Sequence, residues 1–532
     1  MSAPAAAPPA NSAAGPTATI LSSTLLRAPA TAADDSTVHS MVLSPIDWLI
    51  KPYYAVQIVM FYARPGDFPG DQEIMPAARM AQAYSHLLSH YAPFAGRFHK
   101  QPDGSVQIRY GGSANLGVPF VSASCEATVA SLPLSAERYT SIDALPASLQ
   151  LLAPFDGSVD PLSHPPVWLQ HTRFSCGGVC LGVHFHHFLG DAPALLKMVR
   201  DWVELYGALG AAPDAIPTLS KPPVLDRLSV VPKWESPEAQ AADAARFCKE
   251  MYTDVEPAAP GAAASGASAK PQRSVSRVVR FSGAELARMV RDAADKSKGC
   301  TAPWISTYEA LAAHMMESIH RARNPEWEID PLTAATAAAP AAAVAPSASS
   351  SSSSSAPALP FTPITGPHVV TCAVSINFRS HLNLSADLIS NAVLKLYVGV
   401  PSAVAHDPNN GLAATASAVH DAIARFTPDL VKRTAAWTFS LADKNAIYLA
   451  ERPADKLTLS SWAKFNAHQL ATFDPGCVPL RICRPYSASW TNGLVHFFSA
   501  GPEDEGAIDV NIGFFEPDME RLMSDPRFRR FK

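Results

Sequence analysis

The sequence predicts an α/β protein of more than one domain, and three observations predict it. Apolar runs rich in β-branched and aromatic residues, such as Val56-Gln57-Ile58-Val59-Met60-Phe61-Tyr62, alternate with segments of helical period, such as Ala77 to Tyr91. At 532 residues the chain is long enough for two or more domains, each with its own core. Ala258 to Lys270 is a Gly/Ala/Ser stretch without apolar anchors, which marks a crossover between two halves.

Residues 1–40 are rich in Ala, Pro, Ser and Thr without periodicity, so a flexible tail is expected there. It is no secretory signal, since a basic start is missing and Pro8, Pro9 and Pro16 break its apolar residues. An organelle transit peptide is the alternative, with one basic residue, Arg27, for it and Asp34 and Asp35 against it. The first half is expected over residues 41–215, opening with a turn at Leu43 to Trp48 and the strand at Val56 to Tyr62. Residues 216–277 read as a Pro-rich crossover with one helix at Pro237 to Met251. The second half, 278–532, opens with the strand Val278 to Ser282 and a helix from Gly283 to Ala294. Ser306 and Glu309, three apart, then form a capping box for the next helix. Pro331 to Gly366, with an unbroken serine run from Ser349 to Ser355, cannot bury enough apolar surface to offset its ordering entropy. It is expected to be a disordered insertion. Gly411 to Phe426 reads as an amphipathic helix.

The chemistry concentrates at Cys180-Leu181-Gly182-Val183-His184-Phe185-His186-His187-Phe188-Leu189-Gly190-Asp191. A strand gives way to a turn there, and Leu195, Val199, Trp202 and Tyr206 put four large apolar groups on one face of the helix that follows. Alternation sets Val183, Phe185 and His187 on one face and Gly182, His184 and His186 on the other, so the adjacent histidines face opposite ways. A positioned neutral imidazole takes a proton from an alcohol or thiol and returns it later. His187 is the candidate base, and Asp191 either orients that ring or braces the turn through a distant Arg. Three histidines divided between two faces cannot converge on a metal ion, and the eight cysteines show no metal-ligand spacing. Those cysteines, Cys176, Cys180 and Cys372 among them, read as reduced core residues of a cytoplasmic protein. A net charge of −5 leaves no footprint for nucleic acid, and no apolar stretch is long enough to span a bilayer. No GxSxG elbow and no nucleotide-binding glycine loop occurs.

His186-His187-Phe188-Leu189-Gly190-Asp191 resembles the HHxxxD motif of the BAHD acyltransferases, relatives of chloramphenicol acetyltransferase. Further segments resemble the family in order: Leu43 to Asp47 (LSxxD), Pro93 to Phe98 (P-x-A-G-R-x), Ser306 to His314 (STxxALxAH), Asn377-Phe378-Arg379 (N/D-x-R), Asn391 at a G-N pair, and Ser460-Ser461-Trp462 (TSW or TNW). Thr472 to Cys477 stands at the DFGWG segment, keeping Asp474 and Gly476 and losing the Trp and one Gly. Ala192 replaces the usual Gly after the Asp.

The resemblance implies two chloramphenicol acetyltransferase-like domains, each a mixed sheet flanked by helices, with a channel between them. It implies acyl-CoA as co-substrate with no tightly bound cofactor, a hydroxyl-bearing acceptor, a monomer, and direct transfer through a ternary complex with His187 as general base. Asp191 would pair with Arg379, Ser460 and Trp462 would line the reaction centre, His186 would play a lesser part, and Asp474 and Gly476 would be structural. Ser/Ala/Pro insertions and the departures from plant signatures point to a microbial type, whose acceptors include secondary-metabolite and glycolipid hydroxyls and whose acyl groups include acetyl. Two other readings stand beside it: condensation-type transfer from a carrier protein, and a binding protein on the same fold.

Overall fold

Thirteen strands of the chain resolve into two mixed sheets in a computed structural model. It describes residues 16–29, 36–50, 55–70, 72–132, 134, 139–141, 150–152, 160–247, 252–254, 272–325, 369–449, 457–484, 492–501, 504 and 506–532. In chain order the strands are β1 (Ala18–Leu26), β2 (His39–Val42), β3 (Ala55–Tyr62), β4 (Arg97–Lys100), β5 (Val106–Tyr110), β6 (Val118–Cys125), β7 (Tyr139–Ser141), β8 (Val167–Phe174) and β9 (Val179–His186). The second half supplies β10 (Tyr252–Thr253), β11 (Ser274–Phe281), β12 (Val369–Asn377), β13 (Val393–Pro401), β14 (Tyr448–Leu449), β15 (Thr458–Ser461), β16 (Arg481–Cys483), β17 (Leu494–Ser499) and β18 (Ile508–Phe515). The first sheet runs β1-β6-β8-β9-β3-β16 and the second β13-β12-β15-β17-β18-β11-β7. Both mix parallel and antiparallel pairs, as the expected α/β class requires.

The two sheets exchange strands. β16 comes from the second half and pairs with β3 of the first sheet, placing Cys483 opposite Val59. β7 comes from the first half and pairs with β11 of the second sheet, placing Ser141 opposite Arg277. Two clean halves meeting at a crossover are therefore too simple a division. Asp509 on β18 fastens the exchange, because Arg280 of β11 bonds it through Nε (2.8 Å) and a terminal nitrogen (3.0 Å) while Arg481 of β16 bonds its other side. All three side chains are buried.

Central strands covered on both faces carry nearly continuous apolar sequence, and β3 and β9 fit that rule. One face of the first sheet packs against α1 (Ala77–Leu88) and α2 (Ala192–Ala211), where Tyr84 and Trp202 meet edge to face at 5.0 Å. Leu195, Val199, Trp202 and Tyr206 are all buried there, as their spacing predicts. The opposite face, carrying Val59, Phe61 and Cys180, packs against Val278 and Cys483 of the second half. The helices α3 (Pro237–Ala245), α4 (Gly283–Ala293) and α5 (Thr307–Arg323) follow.

Several expectations change at their edges. Within the expected tail of residues 1–40, Ala18–Leu26 is a strand paired with β6 from Ala18↔Cys125 to Leu26↔Val118, and His39–Val42 is another. Composition misled because Thr17 to Ala28 is free of proline, while β1 lies at a sheet edge and buries only Leu26, so no alternation betrays it. α3 stops at Ala245, and Phe247 stacks on Trp437 at 4.3 Å instead of continuing the helix. Cys176 is exposed in the β8–β9 turn, whereas Cys180 and Cys372 are core residues as expected. The insertion Pro331 to Gly366 and the linker Ala258 to Lys270 lie outside the described residues. Among the described residues no helix is long and apolar enough to cross a membrane.

The capping box forms at α5: Ser306 N–H and Oγ donate to Glu309 Oε2 (2.6 and 2.7 Å), and Glu309 N–H donates to Ser306 Oγ (3.3 Å). Ser306→Ala is expected to cost about 1 kcal/mol, read as a lower urea midpoint by circular dichroism.

Candidate functional site

β9 ends at His186 and α2 begins after Asp191, so His187 opens a four-residue turn between a rigid strand and a rigid helix. The turn is tight at Gly190, where a Cβ would come within 2.5 Å of the Ala194 Cβ and 3.3 Å of the Ser390 carbonyl oxygen. Asp191 caps the helix by accepting from the Ala194 N–H (3.3 Å).

Two buried ion pairs hold this turn from either side. Arg379 approaches Asp191 with two nitrogens, at 2.7 and 2.9 Å, and the Ala392 N–H adds a third bond to the carboxylate at 2.9 Å. Arg227 pairs with Asp47 (2.7 Å) and donates to the carbonyls of Phe188 (2.6 Å) and Leu189 (2.7 Å), the residues directly after His187. Asn391 ties the start of the turn to Asp47, because its amide donates to the His187 carbonyl (2.8 Å) and to Asp47 (2.7 Å). Bidentate guanidinium–carboxylate contacts fix orientation as well as distance, so the turn has little freedom. Asp191 is thus spent on Arg379 and two backbone N–H groups.

His187 itself is half-buried, and its Nδ1 is enclosed. Burial lowers its pKa below the ordinary 6.5, against the opposing pull of its own backbone and the Asp191 charge. The ring is therefore neutral at pH 7. His186 points elsewhere: its Nδ1 accepts from the Phe188 N–H (3.1 Å) and its ring lies 4.5 Å from Phe98.

Across the interface, β15 carries Ser460, half-buried, with Trp462 buried just beyond it. Ser460 stands opposite His496 of β17, whose pKa is lowered well below 6.5 by burial first, then by Arg484, and then by His187 should that ring be protonated. Asp474 lies in a separate cluster. It accepts from the Met75 N–H (2.6 Å), from Arg79 (2.5 Å) and from the Tyr206 hydroxyl (2.9 Å), tying the loop before α1 to α2. Met75 has φ +45°, a left-handed conformation that this carboxylate supports. Gly476 has φ +76° with only Pro65 near, so its backbone conformation rather than space calls for glycine.

Of the residues the sequence singles out, the structure brings His187, Asp191 and Arg379 into one cluster, sets Ser460 and Trp462 on and just beyond β15 of the second sheet, and leaves Asp474 and Gly476 apart; the sequence reading follows the LSxxD resemblance no further than a scaffold motif. It assigned no chemistry to Asp47, which is fully buried at the centre of the site's support. It singled out neither Arg227 nor His496. The LSxxD segment was a signal for Asp47; Arg227, alone in a Pro-rich stretch, offered none.

The sequence profile of the Transferase family matches residues 23–336. Hydroxycinnamoyl-CoA:5-hydroxyanthranilate N-hydroxycinnamoyltransferase HHT4 of Avena sativa is 30% identical over 282 residues, 52% of this chain and 57% of that protein. Rosmarinate synthase of Plectranthus scutellarioides is 30% identical over 202 residues, 38% of this chain and 43% of that protein. The matched part thus spans about half the length of these curated relatives. Among solved structures, TRI101 of F. sporotrichioides complexed with coenzyme A and T-2 superposes with a TM-score of 0.63 at 18% identity, over 92% of this chain and 98% of that one. Vinorine synthase gives 0.60 at 14% identity, over 95% and 97%.

Proposed function

The chain belongs to the Transferase family, the BAHD acyltransferases, and from that premise we propose that it moves an acyl group from coenzyme A to a hydroxyl of a small-molecule acceptor. The observation that carries the reading is a half-buried, neutral His187 held rigidly at a strand end, with its nearest carboxylate committed to Arg379. With Nδ1 enclosed, Nε2 is the nitrogen left to meet a substrate. An alcohol is a poor nucleophile while a thioester is already activated, so the missing ingredient is a base. Nε2 takes the hydroxyl proton as oxygen attacks the thioester carbon. Negative charge gathers on the thioester oxygen, where the Ser460 hydroxyl is the donor assigned to it, with Trp462 as wall. The carbon–sulfur bond then breaks, and the His187 proton passes to the departing thiolate. The acyl group goes directly to the acceptor with no acyl-enzyme.

Named relatives use hydroxycinnamoyl-CoA, and TRI101 is solved with coenzyme A and a toxin, so acetyl-CoA and p-coumaroyl-CoA are the first donors to try. Purified protein incubated with each donor and an acceptor extract, read by free-thiol release and mass spectrometry, should yield acylated alcohols. Transfer only from a carrier-bound thioester would favour the condensation-type reading. No thioester cleavage at all would favour a binding protein. Acylated amines without esters would move the acceptor class to nitrogen.

The base must be neutral, and burial lowers its pKa below 6.5. kcat/KM is therefore expected to stay level through pH 7 and to fall only below pH 6.5, by about tenfold per unit. A pH–rate profile with its acid limb above pH 7 would remove His187 from the role.

A further inference from the structure

Beside the reaction centre the second sheet carries a row of polar side chains that the transfer step does not use. His496 on β17 stands directly opposite Asn511 on β18, and Ser460 on β15 stands on the other side of His496. Residues opposed in register share one sheet face, so the three groups form a row across adjacent strands spaced about 4.8 Å apart. That face is turned to the first half. Val278, opposite Asn511 on β11, packs with Val59, Phe61 and Cys180 of the first sheet, and Asp509, two residues along from Asn511, holds Arg481.

A buried sheet face calls for apolar residues, and this row breaks the rule. Asn511 is 4% exposed, yet among the described residues its side-chain N–H2 group has no hydrogen-bond partner, and its oxygen takes a long contact from the Ser276 hydroxyl (3.4 Å). His496 is 9% exposed, and Trp462 and Phe498 set its ring plane through aromatic contacts at 6.4 and 6.0 Å. Neither residue hydrogen-bonds the other. A buried donor is costly to leave unmade, so the Asn511 amide beside His496 marks a place where a ligand completes the bond. The charges acting on His496 come from Arg484 and His187, which puts the row within electrostatic reach of the base.

Resting on the acyl-transfer reading, we propose that His496 and Asn511 are specificity-determining residues, which bind a second hydroxyl or carbonyl oxygen of a neutral acceptor whose reacting hydroxyl lies against His187. Asn511 supplies an N–H donor. His496, held neutral by its burial, supplies one donor and one acceptor. An acceptor with a single oxygen leaves both unpaired, and a site built around hydrogen bonds rejects such an analogue strongly.

Matched pairs of monoalcohols and diols, such as cyclohexanol and its cyclohexane diols, compared with acetyl-CoA as donor, test this. Wild type should favour the diol in kcat/KM by about tenfold or more, equivalent to one good hydrogen bond. His496→Phe and Asn511→Ala should each bring that ratio close to one while the KM for acetyl-CoA changes by less than about twofold. His496→Gln, which keeps a donor and an acceptor, should retain part of the preference. An unchanged ratio in His496→Phe, or a KM for acetyl-CoA that rises in step with that for the alcohol, would overturn the assignment. Wild type that acylates none of the alcohols, with either acetyl-CoA or p-coumaroyl-CoA, would overturn the acyl-transfer reading itself and this one with it.

Discussion

Replacing His187 by alanine is expected to lower kcat by about 100-fold or more, the usual worth of a positioned general base. The half-buried ring adds little to packing, and the clamp around the turn acts through backbone carbonyls that the substitution leaves in place: Asn391 on His187, Arg227 on Phe188 and Leu189. Coenzyme A binding, followed by titration calorimetry, should therefore persist. His186→Ala serves as the control. That ring sits against Phe98 and Phe188, on the other side, so its loss should cost some stability and far less rate. An active His187→Ala protein, or an acyl group trapped on a Ser or Cys, would refute the mechanism.

Asp191→Ala and Arg379→Ala are each expected to destabilise the fold by about 3–5 kcal/mol, because either one strands a buried charge. Both side chains are buried, and Asp191 also loses its bonds to the Ala392 and Ala194 N–H groups. Chemical denaturation measures the loss, and rate measured on the folded fraction separates stability from chemistry. Replacing both residues with apolar groups of similar volume should recover much of the loss. A fully stable but inactive Asp191→Ala protein would make Asp191 an orienting partner of His187 instead.

Local signals were legible in the sequence. Helical spacing gave α2 its buried face, Ser306 and Glu309 gave α5 its cap, and strand alternation separated His186 from His187. Motif resemblance supplied the Asp191–Arg379 contact across 188 residues of chain. What stayed hidden depends on distant backbone. Arg227 works by donating to carbonyls of Phe188 and Leu189, contacts that no residue pattern encodes. β1 pairs through its backbone at an exposed edge and buries too little to show alternation. His496 and Asn511 lie 15 residues apart in sequence, and only the β17–β18 register makes them neighbours. Asp47 was visible in a motif, but its full burial and its Arg partner 180 residues away were not.

The strand exchange also bears on how the chain is made. β3 has β9 on one side and β16 on the other, and β16 spans Arg481–Cys483, far along the chain from β3. During synthesis from the N-terminus, the first sheet therefore waits with β3 as a bare edge until Arg481–Cys483 has left the ribosome. Contacts this far apart in sequence are slow to form, and open edges invite pairing with other chains. The first half made alone would keep that edge indefinitely. Expressed separately it should associate with itself or with a chaperone, and supplying the second half in trans should suppress that association by restoring the missing strand.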